Sequence, residues 1–297
     1  MEKIEKDLKI NHLAGIVPIA GQPLDFNFPW HDCLLPINDN YLAIERAVYQ
    51  CVLAGCETIW IVGHLGSQPL IRKRVGDIIL DPVYLQYPNP LNRIKEVSIY
   101  YVPIHPRDRA KRDCLGWSVL YGADIAFMIS RFISKWLPPE RFFCSFPYGI
   151  VPDESLRDNR KPISGRNKIT YSHNLKTVKD NLHLPFTFEA EDFFRCRDIV
   201  KHKQAEEWKN KSARFYDLAT VFKGLDTDAS QMIELPWFHD ISSWEGYRNY
   251  LSSEQSKLYT KPVTLFKGNR RRYDDRSSRK DLQQDSVAHE TGSKSTT

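Results

Sequence analysis

Apolar and polar positions alternate in blocks along the first sixty-five residues, and the blocks predict a β-α-β unit. Gly15-Ile16-Val17-Pro18-Ile19-Ala20 is a continuous apolar run that breaks at Gly21-Gln22-Pro23. A loop through Trp30-His31-Asp32-Cys33 leads to Leu34-Leu35-Pro36-Ile37. Leu42, Ala43, Ala47, Val48, Cys51, Val52 and Ala54 then recur at helical spacing. Asn38, Asp39 and Asn40 stand before that segment as candidate N-caps, and Gly55 closes it. Thr58-Ile59-Trp60-Ile61-Val62-Gly63-His64 reads as a buried strand. Parallel pairing of the two strands follows from the crossover rule, and ligands bind where such strands end. The loop after the first strand is therefore the expected place for chemistry.

The pattern continues in the same sense. Pro69 to Val75 is short and basic and could cap a helix, and Ile78-Ile79-Leu80 is an apolar run broken by Pro82. Val97 to Val102 has the β-branched and aromatic content of a strand. A charged loop from Pro103 to Cys114 precedes a helix with Val119, Leu120, Ala123, Ala126, Phe127 and Ser130 on one face. Arg141 to Phe146 is a third strand, halted by Pro147. The polar stretch from Asp153 to Lys179 reads as an insertion or irregular connection. Leu184 to Phe188 is a further strand, and Glu191–Trp208 and Ala213–Phe222 read as helices. Alternating β and α segments predict an α/β fold: a mostly parallel, doubly wound sheet with a mixed C-terminal addition.

Composition narrows the class. The 297 residues suffice for a large core, and 41% hydrophobic with 27% charged content is ordinary for a soluble protein. No apolar run approaches the roughly 20 residues that span a bilayer, and the charged N-terminus lacks a secretory h-region. A cytoplasmic location is the expectation. The six cysteines form no Cys-x-x-Cys pair, which argues against a zinc site. Part of the net charge of +5 sits in a polar tail, so residues 1–265 are read as one α/β domain and 266–297 as disordered. Arg270-Arg271-Arg272 could touch nucleic acid or be a solvated cluster; elsewhere the sequence suggests neither nucleic-acid nor membrane contact. Neither a Gly-x-Ser-x-Gly elbow nor a Gly-x-x-x-x-Gly-Lys-Ser/Thr loop is present.

Several of these segments, in this order, resemble the sugar-phosphate nucleotidylyltransferases, whose fold is the nucleotide-diphospho-sugar transferase (GT-A-like) type. Ile19-Ala20-Gly21 matches the strand ending in Ala-Gly-Gly, and Leu34-Leu35-Pro36-Ile37 matches the Leu-Leu-Pro-Ile/Val element. Ala54-Gly55-Cys56 and Ile61-Val62-Gly63-His64 follow in register. Leu115-Gly116 with Gly122-Ala123 resembles the Leu-Gly-Thr-Ala-Gly-Ala element, and Pro236 to Tyr247 resembles Trp-x-Asp-Ile/Thr-Gly-Thr-Pro-Glu-x-Tyr. The resemblance implies a nucleotide held by Ala20, Gly21, Gln22, His64 and Gly116. It implies magnesium on Asp240 as the catalytic and metal-binding carboxylate, with Lys111 and Arg112 at the reacting phosphate. The ligands implied are a nucleotide with a sugar phosphate, or a nucleotide sugar.

This sequence departs from the family pattern at defined points. Gln22-Pro23-Leu24-Asp25 replaces the Gly-x-Gly-Thr-Arg loop whose N–H groups and arginine hold a triphosphate. Asp32 stands where the family's lysine precedes Leu-Leu-Pro, and Pro147-Tyr148 stand where its first metal-binding aspartate falls. Asp240 could ligate magnesium or cap the helix near Ser242-Ser243. Gly21 could admit a phosphate or simply make the turn, and His64 could line a cleft or cap the sheet. Arg107, Arg109, Lys111 and Arg112 form either a phosphate clamp or a solvated loop, and Asp25, His31 and Asp32 are either an acid–base group or loop polarity. Three functions stay open: attack of a sugar phosphate on a nucleoside triphosphate, a non-catalytic relative binding a nucleotide sugar or a protein partner, and a transferase using an activated nucleotide sugar.

Overall fold

Strand β1 (Leu13–Pro18) is buried along its whole length, as its unbroken apolar run requires. A computed structural model of the chain describes residues 12–262, apart from 22–23, 25, 86–94, 134–137, 166 and 211–215. Gln22, Asp25 and the basic tail fall outside the described residues. After β1 come β2 (Pro36–Asn38), β3 (Tyr41–Leu42), β4 (Thr58–Gly63), β5 (Ile78–Leu80), β6 (Glu96–Pro103), β7 (Arg141–Cys144) and β8 (Gly149–Ile150). The remaining strands are β9 (Lys168–Ser172), β10 (Phe186–Glu189), β11 (Ser230–Glu234) and β12 (His239–Asp240). Helices α1 (Ala43–Leu53), α2 (Gln68–Val75), α3 (Pro82–Leu85), α4 (Pro106–Arg112), α5 (Leu115–Ile133) and α6 (Asp153–Asp158) are followed by α7 (Arg160–Ser164), α8 (Ala190–Asn210), α9 (Leu218–Phe222), α10 (Trp244–Leu251) and α11 (Glu254–Leu258).

Eight strands form the central sheet in the order β11-β9-β10-β7-β1-β4-β6-β5. β1 lies between β4 and β7 and runs parallel to both, and β6 extends the parallel set beyond β4. Only β5 and β10 run against their neighbours. The sheet is mostly parallel, and the chain passes from one side of β1 to the other through α5, which makes a topological switch point beside β1.

Period-two alternation divides the core between the two faces. Val17, Ile19, Ile59 and Ile61 pack with Ile44, Val48 and Val52 of α1 and with Ile71 of α2. Ala14, Ile16, Trp60 and Val62 point the other way, onto Val119, Leu120 and Ala123 of α5 and Val221 and Phe222 of α9. A third cluster, with Phe26, Leu35, Ile37, Tyr148, Ile150, Tyr247 and Tyr250, supports the loop after β1 from below.

The structure corrects several sequence expectations. Asn38 to Asn40 do not cap α1; Asn38 ends β2, and Asp39 and Asn40 form the turn to β3, where Asn40 takes φ 52°. α1 starts after Leu42, whose N–H donates to Glu45 Oε2 at 3.0 Å. The third strand stops at Cys144, although Ser145 still donates its N–H to Ile16 O at 3.0 Å. Asp153 to Lys179 is not an irregular insertion: it holds α6, α7 and β9, a full member of the sheet. Its polar composition misleads because Lys168, Thr170 and Ser172 find partners in Asp192, Ser230 and Glu234. Of the second late helix only Leu218–Phe222 is helical among the described residues, started by Asp217, whose Oδ1 accepts from Thr220 N.

Helix α5 reaches the sheet through Gly122, where an added Cβ would stand 2.5 Å from Val62 Cγ2 and 3.1 Å from Ile16 Cγ2. Helix propensity favours alanine over glycine by about 1 kcal/mol, whereas overpacking a close-packed core costs about 1–3 kcal/mol. Val62 is buried and β-branched, so the clash wins. Gly122→Ala is expected to lose about 1–2 kcal/mol in chemical denaturation. Adding Val62→Ala should recover part of that loss; a simple sum of the two single effects would refute the contact.

Candidate functional site

The carboxyl ends of the parallel strands open into a cavity of about 570 Å³. Ile19 and Gly21 follow β1, His64 follows β4, Arg109 and Asp113 follow β6, Leu115 starts α5, and Tyr148 follows β7. The loop between β1 and β2 supplies Leu24, Asn27, Phe28, Trp30, His31 and Asp32. Gly21 has φ 154° and presses on α5, since an added Cβ would lie 3.0 Å from Leu115 N. The first turn of a 19-residue helix, the positive end of its dipole, therefore borders the cavity.

The loop carries aromatic rings where a phosphate-binding loop carries glycines. Phe26, Phe28 and Trp30 alternate along the chain and stack in series, with centroids 5.4 and 5.1 Å apart and planes within 19° and 10°. Trp244 meets Phe26 and Phe28 edge-on at 5.1 and 5.5 Å. The inner ring, Phe26, is buried and the outer one, Trp30, is 48% exposed. This leaves an indole on the cavity wall, braced by two rings behind it.

The polar groups of the cavity are held by their own contacts. Asp32 Oδ2 accepts the Leu24 N–H at 2.7 Å, which folds the loop back on itself. His31 Nδ1 accepts the Cys33 N–H at 3.2 Å. Burial lowers the His31 pKa, His64 adds to that effect and Asp32 opposes it. Burial thus favours the neutral imidazole, with its proton on Nε2 because Nδ1 accepts the Cys33 N–H. His64 Nε2 lies 3.1 Å from Asp113 Oδ1, and Arg109 Nε lies 3.9 Å from Asp113 Oδ2. Among the described residues, two carboxylates, two imidazoles and one guanidinium line the space.

The residues implied by the family resemblance separate in the structure. Gly21 and His64 line the cavity. Ala20 lies behind it, with its carbonyl accepting from Ser118 Oγ at 2.8 Å. Gly116 is buried against α9, where an added Cβ would be 2.7 Å from Val221 Cγ2, so packing accounts for this glycine. Lys111 is exposed and outside the lining; Arg112 pairs with Asp108 at 2.7 Å and lies 3.9 Å from the centre of the Trp117 ring. Arg109 is the member of the basic cluster that reaches the cavity. The sequence signal for the ring series is the spacing Phe26-x-Phe28-x-Trp30, brought into one stack by a turn in which Asn27 takes φ 53°.

Asp240 sits in β12, paired with Gly149 of β8, and is not among the lining residues. Its Oδ2 lies 2.9 Å from His183 Nδ1, and its Oδ1 accepts the Ser242 N–H at 2.9 Å. His183 in turn contacts the Tyr148 and Phe146 rings edge-on at 5.7 and 5.5 Å. Tyr148 thus stands on the cavity side of the His183–Asp240 pair. Magnesium requires near-octahedral oxygen ligation, and a lone carboxylate with both oxygens engaged does not fit it. Among the described residues no group of three or more His, Cys, Asp or Glu side chains is arranged to hold a metal ion.

The sheet order and the position of the cleft define a nucleotide-diphospho-sugar transferase-type fold, the fold of the sugar-phosphate nucleotidylyltransferases. A protein from Bacillus anthracis assigned as a glucose-1-phosphate thymidylyltransferase, solved with a sucrose, is similar over 84% of this chain and 97% of its own, with TM-score 0.57 and 11% identity. A UDP-glucose pyrophosphorylase complexed with UDP-glucose covers 83% of this chain and 99% of its own, with TM-score 0.51 and 14% identity. A UTP-bound UDP-glucose pyrophosphorylase from Acinetobacter baumannii covers 81% of this chain and 92% of its own, with TM-score 0.51 and 14% identity. No family model and no curated protein sequence matches the chain. No helix among the described residues is long and apolar enough to cross a membrane.

Burial alone would raise the Asp240 pKa, but the charge and hydrogen bond of His183 and the Ser242 bonds hold it below the usual carboxylate value. A carboxyl depressed in the native state contributes stability above the unfolded pKa of about 4, lost as pH falls through the lower native value. Asp240→Asn is expected to cost about 1–3 kcal/mol at pH 7, the usual effect of leaving buried partners unpaired. Denaturation across pH checks the sign: the gap between the two proteins should narrow in acid and vanish below the native pKa.

Proposed function

We propose that the protein binds a nucleotide sugar in this cleft without carrying out metal-assisted nucleotidyl transfer. The observation that carries the reading is the loop after β1, which presents Phe28, Trp30 and Asp32 to the cavity and no cation. Attack on an α-phosphorus depends on neutralising the charge that develops there. Among the described lining residues Arg109 is the one permanently cationic side chain, and the Asp32 and Asp113 carboxylates oppose it. That balance disfavours a triphosphate entering without a metal ion.

A nucleotide sugar suits the same groups better. Its diphosphate carries less charge and fits between Arg109 and the first turn of α5, where helix dipole and guanidinium favour an anion. The exposed Trp30 face offers a stacking platform for a planar base. The Asp32 and Asp113 carboxyl oxygens are suited to accepting hydrogen bonds from sugar hydroxyls, and His31, whose Nδ1 accepts the Cys33 N–H, offers its other ring nitrogen as a donor.

Calorimetry and thermal shift in EDTA test the reading, using nucleotide sugars, nucleoside diphosphates and nucleoside triphosphates. A ligand present at 100 times its Kd adds about 2.7 kcal/mol, a rise of roughly 5–10 °C in Tm for a domain of this size. Nucleotide sugars are expected to give that rise without metal, and Trp30→Ala and Arg109→Ala to lose it. Pyrophosphate release from nucleoside triphosphate and sugar phosphate, dependent on magnesium, would establish transfer instead. No shift with any nucleotide sugar would remove the proposal.

A further inference from the structure

Helix α5 faces the sheet on one side, and the described residues leave its other side uncovered. Asp124, Phe127, Met128, Arg131 and Phe132 are all exposed, at spacing i, i+3, i+4, i+7 and i+8, which places them on one stripe. Phe127 is 41%, Met128 45% and Phe132 80% exposed. Beside the stripe an apolar groove of about 400 Å³ runs between α5 and α8, lined by Ala123, Phe127, Pro139, Phe142, Phe193 and Phe194. Phe194 adds another exposed ring at its edge. Large apolar side chains exposed together on one face are characteristic of interaction surfaces.

The polar residues of the stripe identify the occupant. Asp124 and Arg131 lie two turns apart on the same face, and among the described residues neither forms an ion pair. Phe127 and Met128 fall midway between them. A two-fold interface is isologous, so residue i meets j and j meets i. When two copies of α5 pack antiparallel about an axis between Phe127 and Met128, each Asp124 lies opposite Arg131 of the partner subunit. The apolar side chains then meet at the axis, and the mouths of the two grooves lie on the same flank of the helix pair. Parallel packing, or a shift by one turn, loses both charge pairs.

We propose that a second copy of this chain covers the α5 face, forming a two-fold dimer with Phe127 and Met128 at its centre and two Asp124–Arg131 pairs at its rim. The cavity at the other end of the strands takes no part, so the dimer and the ligand reading stand or fall separately.

Sedimentation equilibrium of the full chain over a wide concentration range tests this. A monomer–dimer equilibrium is expected. Asp124→Arg and Arg131→Asp should each weaken it, since each creates two like-charge contacts, by about tenfold or more. The double exchange D124R/R131D should restore the dimer, and Phe127→Ser should abolish it. These positions are exposed, and an unchanged circular dichroism spectrum with cooperative unfolding checks that each variant is folded. If a single exchange does not fold, the double exchange together with Phe127→Ser decides. A monomer at every concentration overturns the proposal, and so does a dimer insensitive to these changes. A monomer that binds a basic amphipathic peptide in this groove also overturns it, by assigning the face to a different partner.

Discussion

The cleft depends on how closely two helices approach β1. On one side Gly15 meets Cys51 of α1, where an added Cβ would stand 2.9 Å from the Cys51 Cβ. On the other side Gly122 brings α5 onto Ile16 and Val62. With both faces held at that distance, the end of β1 has little freedom. Ile19 and Ala20 donate their N–H groups to Val62 O at 2.8 and 3.1 Å, and the buried Ser118 hydroxyl donates to Ala20 O. Gly21 then turns away across the first turn of α5. The position of the cavity follows from packing that is complete before any ligand arrives.

This is also why the architecture was legible in the sequence and the site only in part. Continuous apolar runs and helical spacing depend on burial, so β1, α1, β4 and α5 could be read directly. The sheet beyond β7 was less legible because β9 carries polar side chains whose partners, Asp192, Ser230 and Glu234, lie far away in sequence. The cleft mixes both cases. Gly21 and His64 lie at strand ends, where topology alone points to them. Gly116 matched the family's pattern, yet contact with Val221 is a sufficient reason for glycine there. Arg109, Lys111 and Arg112 could not be separated by spacing; the Asp108 pair and the Trp117 ring withdraw Arg112, whereas Arg109 borders the cavity.

The segment after β12 holds the floor of the loop in place. Tyr247 donates its hydroxyl to Pro36 O at 2.6 Å, and Asn38 Nδ2 donates to Ser256 O and Tyr259 O. Lys261 pairs with Glu45, a buried carboxylate that also meets Arg74 and the Leu42 N–H. Arg46, one position on, is buried against Asp153 at 2.9 Å and beneath the Tyr259 ring at 4.6 Å. Removing one partner of a buried pair leaves an uncompensated charge, so these contacts fix register even where their net effect on stability is small. The aromatic loop can therefore be exposed at Trp30 and still be anchored at Phe26 and Tyr247.

The departures from the nucleotidylyltransferase pattern are physically coupled. A site that neutralises a triphosphate with lysine and a divalent ion can keep bare carboxylates pointing inward, because the ion balances them. Without the ion, an inward Asp240 would repel any phosphate in the cleft. Here its two oxygens are engaged by His183 and Ser242, and Tyr148 stands between the pair and the cavity. Asp32, at the position of the lysine, likewise has an oxygen occupied by the Leu24 N–H and helps shape the loop that carries the rings. Each change makes the others tolerable, since an acid in place of the lysine is harmful only while the site must grip a triphosphate. The same fold is thereby left with a ring-walled cleft whose carboxylates are turned to shaping the loop and its floor.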